Sequence, residues 1–297
     1  MPSHAELAKH FWEDGATKSI DESGIKESLR RALNDFTPRT EEIKEKITQD
    51  EMLEKLEEKK CGFLTEFEKY FKETPAKNQD EFDKWHHEMC KKFRACFNDN
   101  FENLQYGKAQ KIVNMTFKNI YCLRDAESKE DYFKYCHMPL DSLTLEWFYR
   151  KVKPANRKKE YTRAEIPAWS KLCYESEESA SKLSYKSIQE DIRKHFENSN
   201  EWTPLKAEFV IWPQIQLELA AEGLFNQLWH IGEGPDDAEY ESFKGELRQA
   251  SKIFKSKSVK DKLDYLKRHI KLSDNSFIFT DRKSTRLNSS HQLISYA

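Results

Sequence analysis

Glycine and proline are scarce in this chain, at 8 and 9 of 297 residues. So few turn-formers leave little room for the many tight reversals of a β-sandwich or barrel. No apolar run approaches the roughly 20 residues needed to span a bilayer, and Met1 to Gly15 lacks the apolar core of a secretion signal. The expectation is a cytoplasmic protein with no membrane partner. The six cysteines, Cys61, Cys90, Cys96, Cys122, Cys136 and Cys173, are irregularly spaced. In a reducing compartment they are expected as buried thiols rather than a disulfide framework. P-loop, GxGxxG, GxSxG and HExxH patterns are missing, which removes the commonest nucleotide-binding and hydrolase signatures. "WHHEMC" sets His86 and Cys90 one helical turn apart, with Cys96 further on, but no second CxxC or HxxxH accompanies them. A surface histidine beside a buried thiol is therefore expected, and no metal or other cofactor.

The last stretch, "DRKSTRLNSSHQLISYA", Asp281 to Ala297, looks like the conceptual translation of a sequencing adapter. Asp281 to His291 and Ile294 to Ala297 follow its codons, with Gln292 and Leu293 in the place of its index. Residues 281–297 are accordingly set aside from fold reasoning, and the native C-terminus is expected to have been lost near Thr280. The tail holds three of the 50 basic and one of the 52 acidic residues, which leaves a net charge of about −4. That excludes a general polycation, while 19 Phe, 12 Tyr and 7 Trp supply enough apolar surface for a packed core.

Apolar residues recur at three and four rather than at two, the helical period. Ile25, Leu29, Ala32, Leu33 and Phe36 form one stripe before Pro38. Ile43, Ile47, Leu53 and Leu56 sit in the highly charged Thr40 to Lys60 segment, read as a solvated helix. Phe63, Phe67, Tyr70 and Phe71 follow, then Phe82, Trp85, Met89, Phe93 and Cys96 on a helix that Asp80 could cap. Later stripes are Tyr185, Ile188, Ile192 and Phe196, and an apolar run from Leu205 to Trp229 that Pro213 should start or kink. The fold expected is all-α, an irregular multi-helix bundle with a small basic helical C-terminal appendage. Residues 1–228 would form the helical domain, and 229–280 a linker with helices at Ala238 to Phe254 and Val259 to Lys271.

The candidate site begins at "YGKAQKIVNMTFK", Tyr106 to Lys118. At 100° per residue, Ala109, Ile112, Val113, Thr116 and Phe117 share one face, and Gly107, Lys111, Asn114 and Lys118 the opposite one. The seven steps from Lys111 to Lys118 span about 10 Å, which suits two phosphates or one extended anion. The alternative is an ordinary solvated face. Asn114 argues for a use, because asparagine is a poor helix-interior residue whose side chain competes with the backbone. In "YCHMPLDSLTLEW", Pro139 extends Met138 and Asp141 caps a helix starting at Ser142, with His137 on the same turn. A capping aspartate is biased towards its ionised form, suited to stabilising a cation. Between Arg150 and Arg163 the basic residues include Arg157, Lys158 and Lys159, with Glu160 alone opposing them. Tyr161 and Trp169 nearby could stack bases. Basic residues return between Lys252 and Lys271.

Two resemblances arise at these residues. "YGKAQKIVNMTFK", "CHMPLDS", "WSK" at Trp169 to Lys171 and "PLKAEF" at Pro204 to Phe209 look like a widespread family of uncharacterised bacterial proteins over roughly 82–222, which implies no activity. A Gly and Lys opening a helix, with an Asp capping a later one, is similar to helix-hairpin-helix DNA glycosylases of the archaeal oxoguanine type. That family's lysine attacks the sugar C1′ while its aspartate stabilises the developing cation. The resemblance implies Lys108 or Lys111 as nucleophile and Asp141 as electrostatic partner. The hairpin's second glycine is absent, and Arg124 to Met138 is an insertion.

The expected function is therefore binding of nucleic acid, DNA or RNA, or of another phosphorylated ligand, at a shallow cationic site, with base excision as the leading reaction if the protein is an enzyme. Lys111, Lys108, Asp141 and His137 would carry the chemistry. Tyr106, Gln110, Asn114, Lys118, Ser142, Arg157, Lys158, Lys159 and Trp169 would bind ligand, and a flipped base would rest on Tyr106, Trp147 or Trp169. The rival, from another class, is a non-catalytic adaptor of bacterial or phage origin that docks a protein partner.

Overall fold

The computed structural model describes residues 4–36, 43–154, 160–175, 183–199 and 201–230. Among them the protein is all-α, with α1 (His4–Phe11), α2 (Glu22–Leu33), α3 (Gln49–Glu57), α4 (Phe63–Lys72), α5 (Gln79–Cys96), α6 (Tyr106–Tyr121), α7 (Ser142–Lys151), α8 (Tyr185–Phe196) and α9 (Pro204–His230). An isolated antiparallel bridge joins Ile43 to Phe101. The chain divides into two compact units, 1–215 and 216–297, and the site lies wholly in the first. Arg157, Lys158, Lys159 and both basic helices expected after residue 238 lie outside the described residues.

Local chemistry starts most of these helices. Asp21 accepts from the Gly24 amide ahead of α2, Thr48 and Glu51 form a capping box on α3, and Asn78 caps α5. Asp80 is thus a first-turn residue of α5 rather than its cap. The charged Thr40 to Lys60 segment is not uniformly solvated either, since Met52, Leu53 and Leu56 of α3 are buried. Pro213 lies inside α9. It neither starts that helix nor donates to the Phe209 carbonyl.

An aromatic cluster binds α4, α5 and α6 together. Phe67 meets Phe117 at 5.2 Å between ring centroids and Trp85 at 5.4 Å, and Tyr70 meets Phe117 at 5.3 Å. Tilted and edge-on pairs of this kind add roughly 0.5–1.5 kcal/mol each beyond their area. α2 and α5 pack on α6, and the turn Trp169–Lys171 crosses its start. There a Cβ on Gly107 would stand 1.8 Å from the Trp169 carbonyl oxygen. Only glycine permits that approach, and the Gly107 amide uses it to donate to the Leu172 carbonyl at 3.0 Å.

The result corrects the expectation of a solvated donor row: all sixteen residues of α6 are buried. A helix covered on every side must close its polar groups internally. The cysteine expectation is corrected as well. Cys61 and Cys96 form a disulfide with Cα atoms 5.6 Å apart, tying the chain ahead of α4 to the end of α5. Cys90, Cys122 and Cys136 are buried free thiols, while Cys173 is exposed. No described helix is long and apolar enough to cross a membrane.

Candidate functional site

The structure brings Lys111 and Asp141 into contact. The Lys111 Nζ donates to Asp141 Oδ2 at 2.7 Å, and both side chains are 10% exposed. Asp141 is positioned by its own cap: Oδ1 accepts from the Leu143 and Thr144 amides at 3.0 and 2.9 Å, and Thr144 answers with its hydroxyl on the Asp141 amide. The Trp212 indole of α9 donates to Oδ2 at 3.0 Å. Burial pulls the Lys111 amine down, but the charges of Asp141, Asp35 and Glu208 outweigh it and hold the amine above its ordinary range. Burial likewise raises Asp141, and Lys111 with the Thr144 and Trp212 donors overcomes it, so the carboxyl lies below its usual range. The pair is ionised on both sides. A lysine nucleophile needs a depressed pKa and a free lone pair; Lys111 has neither.

Further along α6, Lys118 pairs with Glu208 of α9, both almost fully enclosed. The ammonium lies 3.9 Å from the centre of the Phe11 ring and 4.8 Å from that of Phe209, a cation held between aromatic faces. Burial raises the Glu208 carboxyl, opposed by the Lys118 and Lys111 charges. The two lysines expected to hold one extended anion therefore each hold a carboxylate of their own chain.

Asn114 points into a third set of contacts. Its amide donates to Gln110 Oε1 and to the Tyr185 hydroxyl, both at 2.9 Å, and its oxygen lies 2.9 Å from His86 Nε2. Tyr185 OH is 2.7 Å from His137 Nδ1, whose Nε2 is 2.7 Å from Asp83 Oδ1. Arg193 stands 3.3 Å from the other Asp83 oxygen. One assignment of protons satisfies these contacts, with the Tyr185 oxygen also 3.3 Å from His86 Nε2. His86 Nε2–H donates to Asn114. Tyr185 O–H donates to His137 Nδ1, and His137 Nε2–H donates to Asp83. Both imidazoles are then neutral. Burial lowers His86 well below the usual histidine value and lowers His137 against the pull of Asp83.

His86, expected at the surface, is fully buried. Among the described residues no group of His, Cys, Asp or Glu is arranged to hold a metal. Burial drives the Cys122 thiol up to about 12 and raises those of Cys90 and Cys136 well above the ordinary thiol range, so none of the three is a ready thiolate.

The remaining candidates fall elsewhere. Lys108 is buried. Gln110 donates to the Gly107 and Leu140 carbonyls at 2.8 Å each, linking α6 to the turn before α7. Ser142 is the half-buried first residue of α7, and Trp169 is half-buried in the turn over Gly107. The other proposed stacking surfaces are filled from within. Tyr106 packs on Tyr185 at 5.2 Å, Trp147 lies parallel to Phe196 at 5.9 Å, and Tyr161 packs on Phe148 at 4.8 Å. Of the basic stretch, Arg150 and Arg163 both meet Glu146, while Lys151 and Lys153 are exposed.

Comparison of the chain with protein-family models, curated proteins and solved structures finds no match, so the residues alone carry the functional reading.

Sequence reasoning missed Asp83, His86, Tyr185, Arg193, Glu208 and Trp212 as partners of the row. One signal was available for Glu208: it is the first of three carboxylates, with Glu218 and Glu222, in the largely apolar run from Leu205 to Trp229. Another was in α6 itself, whose sixteen residues contain three lysines and no acid. A solvated helix of a chain with 34% charged residues would ordinarily mix both signs.

Proposed function

We propose that this protein is a non-catalytic helical interaction protein, whose described core is a closed scaffold rather than a ligand site. One observation carries this reading: Lys111, expected as nucleophile or phosphate ligand, is enclosed and bonded to Asp141 at 2.7 Å. An amine in that state neither attacks a sugar carbon nor reaches a phosphate without breaking a buried ion pair. Of the aromatic surfaces a base would need, Tyr106 and Trp147 are occupied within the core, so α6 serves to organise the helices around it.

The test uses the full chain with labelled single- and double-stranded oligonucleotides, followed by fluorescence anisotropy across a salt series, and borohydride trapping on duplexes bearing damaged bases. The expected result is no covalent adduct and no binding whose log K falls with log salt. An adduct formed by the native chain and lost in Lys111→Ala would overturn the proposal and restore base excision. Salt-dependent binding lost on reversing Lys151 and Lys153 would overturn it in favour of nucleic-acid binding on the exposed basic stretch.

A further inference from the structure

α8 meets the rest of the core at several points, including Asn114 on Tyr185, the Cys173 and Tyr174 carbonyls at its start and Trp147 on Phe196. One short segment, His137 and Met138, engages three successive turns of it. Tyr185, its first residue, bonds to His137 Nδ1 at 2.7 Å. One turn on, the Gln189 carboxamide brackets Met138, accepting from its amide at 3.2 Å and donating to its carbonyl at 2.7 Å. A further turn on, Arg193 reaches Asp83, the carboxylate that fixes the other face of His137. His86 of α5 lies beneath, its ring 4.5 Å from that of His137 and stacked on Tyr185 within 6° of parallel.

We infer that this histidine pair is an acid-sensitive latch: uptake of protons by His137 and His86 releases α8 from α5 and α6. The reason is donor and acceptor arithmetic. His137 Nδ1 is the acceptor for the Tyr185 hydroxyl, and a proton there turns it into a donor, so the tyrosine oxygen can only receive from it, beside Asn114, and its own proton is left to find another acceptor. Tyr185 then loses its acceptor inside a buried cluster, where an unmet polar group is expensive. Protonating His86 instead sets a cation against the Tyr106 hydroxyl and the Cys90 thiol, which offer no counter-charge.

Three helices present polar and titratable groups to the pair. From α5 come Asp83, Cys90 and the adjacent His87; from α6, Asn114 and Tyr106; from α8, Tyr185 and Arg193. Asp83 is the one carboxylate on the cluster. Burial would raise it, yet the His137 hydrogen bond and the His137 and Arg193 charges bring it down to about 2, so it stays ionised throughout the range in which histidines titrate. It is already shared with Arg193 and Gln79, and it touches His137 alone of the two imidazoles.

The sign follows from linkage. Both imidazoles bind protons less readily in the closed state than at their ordinary value of 6.5. Opening is therefore unaffected by pH above about 6.5 and becomes easier as pH falls below it. One imidazole gives roughly a tenfold rise in the open population per pH unit, and two together up to roughly a hundredfold.

The experiment follows amide hydrogen exchange in the full chain between pH 7.5 and 5.0, corrected for intrinsic exchange, alongside an NMR titration of the two imidazoles. Protection over Tyr185–Phe196 should fall steeply below pH 6.5 while that of α2 and α4 holds. His86 and His137 should stay neutral until α8 opens and then titrate with it. In His137→Gln, which keeps a donor for Asp83 and cannot take a proton, the pH dependence of α8 should fall to at most the roughly tenfold per unit that His86 alone supplies. Imidazoles that titrate near 6.5 with α8 still protected would overturn the latch, as would unchanged α8 protection down to pH 5.0. If His137→Gln does not fold, the titration of the native chain decides.

Discussion

Removing the Lys111 ammonium tests whether the centre of the molecule is closed. Lys111→Met keeps most of the apolar stem and deletes the charge, leaving the Asp141 carboxylate with the Leu143, Thr144 and Trp212 donors but no cation. Breaking one side of a buried pair costs about 3–5 kcal/mol. Because three donors remain on Asp141, the lower end, about 3 kcal/mol, is expected. Asp141→Asn, which caps α7 about as well as the aspartate, should be no milder, since it strands the buried ammonium. The double variant should recover much of the loss, with a coupling energy of about 2–3 kcal/mol. Urea unfolding followed by both circular dichroism and tryptophan fluorescence measures all three, and coincidence of the two probes checks the two-state treatment. A loss below about 1 kcal/mol in Lys111→Met would mean that the amine is solvated and available to a ligand. The closed-scaffold reading would then fail.

The other expectations concern the same architecture. Reducing the Cys61 to Cys96 disulfide, whose cysteines are 35 residues apart, should remove about 3–4 kcal/mol by restoring chain entropy to the unfolded state; an unchanged urea midpoint in reductant would contradict this. Gly107→Ala must push the start of α6 away from the Trp169 carbonyl, a backbone atom that cannot rotate aside, and should cost about 3 kcal/mol or more. A melting temperature within two or three degrees of the parent would show that the two segments are not in contact. Glu208→Gln, which leaves the Lys118 ammonium between Phe11 and Phe209 without a carboxylate, should be much worse than the paired change Lys118→Met with Glu208→Leu, a ranking readable from thermal melts. The Lys111 and Asp141 pair should hold its full contribution above about pH 3.8 and below about 10.5. It is lost as pH falls through the lowered carboxyl or rises through the elevated amine, so acid loss near pH 6 belongs to the histidines.

What could be read from the chain divides along the distance over which the deciding interaction acts. Helix periods and the cap at Asp141 depend on residues three or four apart, and those signals are plain in "CHMPLDSLTLEW" and in the stripes of Phe, Leu and Ile. The facing of α6 depends on Glu208 and Trp212, about ninety to a hundred positions away, and no local pattern reports them. Asn114 marks the boundary between the two. Its presence in a helix interior correctly demands a partner, yet partner and water satisfy that demand equally well on paper. The deciding clue is the company it keeps. With no acidic residue in α6, its lysines had to find carboxylates on other elements or remain unpaired.

On the proposed function, the polar row acts as a key to helix placement rather than as a ligand site. Its three members stand at separate heights on α6, and each engages a different combination of neighbours. Lys111 takes the α7 cap and Trp212, Asn114 takes α5 and α8 through His86 and Tyr185, and Lys118 takes Glu208 with Phe11 of α1. Apolar contacts in an aromatic-rich core are tolerant of rotation and sliding, because a Phe accepts many neighbours at similar energy. A buried charge or amide is intolerant, because every wrong register leaves it unsatisfied at a cost of several kcal/mol. Set along a single helix, such residues stabilise the correct arrangement little but penalise the alternatives heavily. On that reasoning α6 explains why a chain this rich in charge keeps ionic groups at its centre: they select among packings that hydrophobic burial alone would leave nearly equal.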